Sequence, residues 1–217
     1  MLPLIIKYLP KTTKDILGQD EQIAKTKQFL NTFKGQKKKA LLLYGPSGIG
    51  KTASACALAN ELDLEIVEVN ASDTRNADQI QQVVGAATKQ QSLFMKQKLI
   101  LIDEIDGLSG MKDRGGIGEI VSIIEETKYP IILTATNPWD NKFSSLRKKT
   151  DMVEFDPLDS ATIFEILKKI CDKEKIKYED DVLRGLARRA GNDARAAIND
   201  LQTLSIEANS LTKDSLE

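Results

Sequence analysis

One stretch constrains this chain more than any other: Gly45-Pro46-Ser47-Gly48-Ile49-Gly50-Lys51-Thr52, which fits the pattern G-x-x-x-x-G-K-[ST]. Its glycines let the backbone curl until several N–H groups face one point. A helix starting at the end of the loop adds a partial positive charge there. Such a loop cradles the phosphates of a nucleotide, with Lys51 reaching the β- and γ-phosphates and the Thr52 hydroxyl on Mg²⁺. It requires a strand before it and a helix after it. The sequence supplies both, the apolar run Ala40–Tyr44 and a helical pattern over Thr52–Leu62. A glycine turn that happened to contain Lys and Thr would have no need of either.

About fifty residues on, Leu99-Ile100-Leu101-Ile102 runs into Asp103-Glu104. Acids at a strand end are common at surfaces, but behind a phosphate loop they have a use. Asp103 would hold the water shell of Mg²⁺, and Glu104 would polarise an attacking water as general base. The adjacent Glu favours hydrolysis over transfer to a bound acceptor, as in a nucleotide kinase. The next strand, Ile131–Asn137, ends in Thr136-Asn137. A polar side chain there could sense the γ-phosphate or could simply cap the strand. Arg195 opens the last helical pattern and lies roughly 120–140° from the centre of the stripe Ala194, Ala197, Ile198, Leu201, Leu204. It is off the core and free to reach another domain. Taken alone, it reads better as a solvated arginine.

The rest of the chain divides in two. Up to Pro157, the apolar runs Ala40–Tyr44, Glu65–Val69, Leu99–Ile102, Ile131–Ala135 and Met152–Phe155 alternate with helical patterns. One of these carries Ile117, Ile120, Val121 and Ile124 on a single face. Strands apolar almost throughout and spaced by helices predict a parallel sheet with both faces covered. Beyond Pro157 no strand signal remains, and Ser160–Cys171, Asp181–Ala190 and Asp193–Ala208 read as helices. Gly191-Asn192-Asp193 stops one and caps the next. We expect an α/β core over 1–157 and a small all-helical lid over 158–217. With 217 residues, 41% hydrophobic, the chain can bury a real core. No apolar run approaches a membrane span, and the short start, broken by Pro3 and Pro10, lacks the features of a signal peptide. Cys56 and Cys171 read as reduced core residues, and the lack of histidine excludes histidine catalysis and histidine metal sites. A formal charge of −1 leaves any DNA contact to local basic patches. One basic run, Lys37-Lys38-Lys39, reads as a solvated turn.

The order of phosphate loop, Asp-Glu pair, polar strand end and a helical lid bearing Gly191-Asn192-Asp193-Ala194-Arg195 resembles the AAA+ ATPases. Within them the chain is similar to the replication factor C clamp loaders of archaea and eukaryotes. Lys7–Thr12 with Asp15-Ile16-Leu17-Gly18-Gln19 resembles that family's opening, and Val69–Arg75 resembles a further family segment. Asp103–Gly110, continuing to Asp113-Arg114-Gly115-Gly116, is similar to the large-subunit branch. The resemblance spans Lys7 to about Ala208. It implies five parallel strands and a spiral of subunits with ATP between neighbours. It also implies a cycle in which the spiral opens a sliding clamp and places it on primer–template DNA. Small subunits, the clamp and the DNA backbone are the implied partners, with no membrane, in the cytoplasm or, in a eukaryote, the nucleus. Ile16 and Leu17 would line the adenine pocket, Arg195 would be the second nucleotide sensor, and Arg75 and Arg114 would touch DNA phosphates without reading sequence. For Arg75, capping a loop against Asp73 is the alternative.

Departures from the pattern matter as much. Small subunits carry Ser-Arg-Cys before the last strand, and its arginine reaches the neighbour's ATP. Here the place reads Lys148-Lys149-Thr150. Lysine lacks the planar bidentate contact, so the chain is expected to accept a finger and donate none, as the large subunit does. The family's strand-end asparagine aligns with Thr136, leaving Asn137 one place on, and Leu9 stands where an arginine is usual. The chain stops after the lid, where the large subunit continues into a helical collar, so we expect a piece of a longer protein or a split gene product. Two further readings remain. A branch-migration helicase motor would normally donate its own finger, and a nucleotide-binding interaction module would hydrolyse almost nothing alone.

Overall fold

A computed structural model of the chain describes residues 2–71, 84, 97–108, 115–205 and 210–212. Five strands form one sheet: β1 (Ala40–Tyr44), β2 (Glu65–Asn70), β3 (Lys98–Asp103), β4 (Ile131–Ala135) and β5 (Thr150–Glu154). Every pairing is parallel and the order is β2-β3-β4-β1-β5. The sheet is sandwiched as its continuously apolar strands demand. Leu41, Leu43, Leu99, Leu101 and Ile132 face one core, and Leu42, Ile100, Ile102, Ile131 and Leu133 face the other. Each such side chain, buried fully, contributes about 1.5–3 kcal/mol of transfer free energy.

Helix α1 (Leu4–Lys7) precedes α2 (Asp20–Thr32), and α3 (Lys51–Glu61) follows the loop after β1. Helix α4 (Gly116–Glu126) buries Ile120, Ile123 and Ile124 on the second face of the sheet. The expected stripe is rotated slightly, with Ile117 and Val121 only partly buried. The short α5 (Ser144–Lys149) leads directly into β5. That strand starts two residues earlier than its apolar run suggests, because its ladder with β1 opens at Ala40 opposite Thr150. Thr150 and Asp151 carry no apolar signal; they join through the backbone ladder, and Lys38 donates to the Thr150 carbonyl at 2.7 Å and pairs with Asp151 at 3.2 Å.

The lid is helical: α6 (Ser160–Glu174), α7 (Asp180–Arg189) and α8 (Ala194–Ser205). It also holds a parallel two-residue ladder, β6 (Lys177–Tyr178) with β7 (Ser210–Leu211). The expectation of helices alone is corrected here; a pairing of two residues is too short to show any periodicity. The lid does not have a separate core. Leu167, Leu183, Leu186 and Leu201 belong to the same buried cluster as Leu41, Leu43 and Ile49. The N-terminal strap reinforces the join. Leu4 N donates to Gln202 Oε1 at 2.6 Å, the Tyr8 hydroxyl donates to Glu174, and Lys7 pairs with Glu174 at 2.5 Å. Among the described residues no helix is long and apolar enough to cross a membrane.

Candidate functional site

All five main strands run the same way, so their C-terminal ends open on one side of the sheet, where α/β proteins bind ligands. A cleft of about 610 Å³ lies there, walled by the strap, the loop after β1, the ends of β3 and β4, and the lid.

The loop Gly45–Gly50 takes backbone shapes that its glycines permit. Gly45 has φ +139°, and a Cβ there would collide with the Phe155 carbonyl oxygen. Gly48 has φ +66°, and a Cβ there would fall on the Asp193 carboxylate. The loop is therefore clasped by the lid. Ser47 Oγ donates to Asp193 Oδ2 at 2.9 Å, and Ala194 N donates to the Gly48 carbonyl at 3.1 Å. Asp193 also caps α8 by accepting from Ala196 N at 2.9 Å. Arg195, the second residue of that helix, is exposed and lines the cleft. The sequence placed it off the apolar stripe, and the structure agrees.

Lys51 opens α3 with its ammonium turned onto the loop's own Gly45 and Pro46 carbonyls, at 2.7 and 2.6 Å. Burial pushes its pKa down, against the pull of Asp103 and Asp106. Thr52 Oγ donates to Asp103 Oδ1 at 2.7 Å. A hydroxyl and a carboxylate oxygen so close are hard-oxygen donors of the kind Mg²⁺ takes. Loop backbone, lysine, hydroxyl and carboxylate thus make a donor set that fits a Mg²⁺-bound nucleotide. Glu104, just past β3, is exposed and lines the same cleft with φ +54°. A left-handed non-glycine residue costs of order 1–3 kcal/mol and persists where its surroundings enforce it.

Thr134 does the enforcing. This buried residue of β4 donates its hydroxyl to Asp103 Oδ1 and accepts from Glu104 N at 3.0 Å. Our sequence reading passed over it, because a threonine inside a strand carries no distinctive pattern; only the register of β3 against β4 brings it under the acid pair. Gln19 carries no sequence signal of its own beyond its place in Asp15–Gln19. Its buried amide donates to the Asp156 carbonyl at 2.7 Å and to the Ile49 carbonyl at 3.4 Å, tying strap, β5 end and phosphate loop together.

At the end of β4 the two candidates separate. Thr136 is exposed and lines the cleft. Asn137 accepts from Trp139 N at 3.0 Å, so its side chain caps the turn. Ile16 and Leu17 both line the cleft, and Ile16 is buried. Lys149 pairs with Glu125 of α4 at 2.6 Å. Arg75 and Arg114 lie outside the described residues.

Comparison with known proteins adds the following. The family model described as ATPase family associated with various cellular activities (AAA) matches residues 41–158. A second, described as RCF1/5-like, AAA+ ATPase lid domain, matches residues 165–206. The chain is 50% identical over 204 residues to a replication factor C large subunit of Nanoarchaeum equitans, covering 94% of this chain and 47% of that protein. It is 47% identical over 205 residues to a protein of the same name from Staphylothermus marinus, covering 94% of this chain and 48% of that one. The chain thus spans about half the length of these curated relatives. Among solved structures, the RuvB Holliday junction branch migration motor of Thermotoga maritima superposes with a TM-score of 0.69, at 22% identity, over 96% of this chain and 71% of that one. At that identity the likeness concerns the fold.

Proposed function

From the premise that this chain belongs to the AAA family of ATPases, we propose that it binds and hydrolyses ATP as the motor segment of a clamp-loader large subunit. The observation that carries the reading is the meeting of Lys51, Thr52, Asp103, Glu104 and Arg195 in one cleft beneath the lid. The loop N–H groups and Lys51 bind the phosphates, Ile16 and Leu17 flank the base, and Thr52 and Asp103 hold Mg²⁺. The metal, when bound, neutralises charge on the phosphate oxygens. Glu104 takes a proton from the attacking water, while Thr136 and Arg195 sense the γ-phosphate from the strand end and the lid. We place the domain boundary at 157/158.

The larger role follows from the relatives' name and from Lys149. Its ammonium is engaged by Glu125 at the place where a finger would stand, which supports a subunit that accepts a finger and donates none. In the assembly the chain works with small subunits to open the sliding clamp and place it on primer–template DNA, with Arg75 and Arg114 on the phosphate backbone. The compartment is that of replication, the cytoplasm or a nucleus.

The test is ATP turnover by wild type and Glu104→Gln, alone and with small subunits, clamp and primed DNA. We expect low basal turnover that rises with the partners, and loss of this chain's share in Glu104→Gln with ATP still bound. Substantial turnover alone, indifferent to partners, would refute the clamp-loader role and leave a self-sufficient ATPase.

A further inference from the structure

Strand β4 ends at Ala135, and the next two backbone N–H groups have no ladder partner. Asp106, in the short turn Ile105–Gly107 after β3, takes both. Thr136 N donates to its Oδ2 at 2.5 Å, and Asn137 N donates to Oδ1 at 3.3 Å. The far side of the turn is held as well. Arg147 donates to the Pro138 and Asp140 carbonyls, and its guanidinium lies 5.6 Å from the Trp139 ring centre. Trp139 meets Tyr44, the residue before Gly45, edge-on at 5.8 Å.

We infer that Asp106 is a positioning residue for hydrolysis: its carboxylate fixes the turn 136–140 and so holds Thr136 at the cleft. The inference rests on the nucleotide reading above. Two adjacent N–H groups that point the same way need two acceptor oxygens side by side, which an ionised carboxylate offers. Such charge-assisted bonds are about twice as strong as neutral ones. An amide in its place offers one oxygen and sets an NH₂ against the other N–H. Asp106 also lines the cleft that Lys51 lines, so the group that shapes the strand end belongs to the same cavity as the phosphate-loop lysine. Thr136 directly follows β4, and this turn fixes the backbone from which it faces the cleft. Within the tetrad Asp103-Glu104-Ile105-Asp106, the first two acids carry the chemistry, and the fourth residue braces the neighbouring strand.

The experiment compares wild type, Asp106→Asn, Asp106→Glu, Thr136→Ala and the Asp106→Asn/Thr136→Ala double variant. It measures ATP affinity, single-turnover hydrolysis and fluorescence anisotropy of Trp139, the chain's one tryptophan. Asp106→Asn is expected to lower turnover by about tenfold or more, the effect of losing a charge-assisted contact. ATP affinity should change less than about threefold, since the phosphate loop is untouched. The Trp139 anisotropy should fall, and Asp106→Glu should recover part of both signals. Thr136→Ala should slow turnover without moving the anisotropy, and the double variant should be no slower than the slower single one. Unchanged turnover and anisotropy in Asp106→Asn would overturn the inference. So would losses that multiply in the double variant, or full turnover in Thr136→Ala. A wild-type protein that binds no ATP would instead overturn the nucleotide reading and the inference with it, even if the anisotropy still fell.

Discussion

Gly48→Ala tests the clasp between phosphate loop and lid. At φ +66° an alanine pays a left-handed penalty of about 1 kcal/mol. Its methyl also occupies the space of the Asp193 carboxylate. That carboxylate is the end of a side chain and can swing away, so the cost is what it leaves behind. It abandons the Ser47 hydroxyl, worth about 1 kcal/mol, and the cap of α8, worth about 0.5–2 kcal/mol. The lower entropy of an unfolded alanine chain returns about 0.4–1 kcal/mol. A net loss of about 2–3 kcal/mol follows. Lid and core share one buried cluster and should unfold together, so the melting temperature should drop by roughly 5–10 °C for a chain of this length. The assay is thermal or urea unfolding, with Gly118→Ala as the internal control. Gly118 sits in α4 with open space around its would-be Cβ, and alanine there should stabilise by about 0.5–1 kcal/mol. A Gly48→Ala protein within about 0.5 kcal/mol of wild type, or a Gly118→Ala protein that falls as far, would refute the reasoning.

Two further outcomes are expected. Thr134→Val removes the hydroxyl shared by Asp103 and Glu104 N. It should destabilise by about 1–3 kcal/mol and slow hydrolysis more than it weakens ATP binding, read from stability and single-turnover curves; Thr134→Ser should restore both. Burial pushes the Cys56 thiol up to about 11, so at pH 8 its thiolate fraction is roughly a hundredfold below that of an unfolded cysteine. Native Cys56 labelling by iodoacetamide should rise toward pH 11 rather than near 9, and a rise near 9 would contradict the burial.

The candidate site residues could be read directly wherever they are neighbours in sequence. The Gly45–Gly50 loop joins a strand to the helix that Lys51 and Thr52 open, as its pattern requires, and Asp103-Glu104 stands at a strand end as expected. Residues whose work depends on a neighbouring strand were not legible. Thr134 matters because β4 pairs with β3 in one register. Asp106 matters because its turn faces the end of β4. That Thr136 and not Asn137 lines the cleft likewise goes with one local bond, Trp139 N to Asn137 Oδ1.

By itself the sequence determined the fold class and the composition of the candidate site. Loop geometry, helix caps and strand hydrophobicity are written within a few residues of one another, and local sterics and burial read them out. Only the tertiary structure decided the order β2-β3-β4-β1-β5, the clasp of Asp193 on Ser47 across 146 residues, and the brace of Asp106 on the next strand's end. Those contacts join residues distant in the chain. No local period encodes them, because they follow from which strands pair and how the lid shares the core.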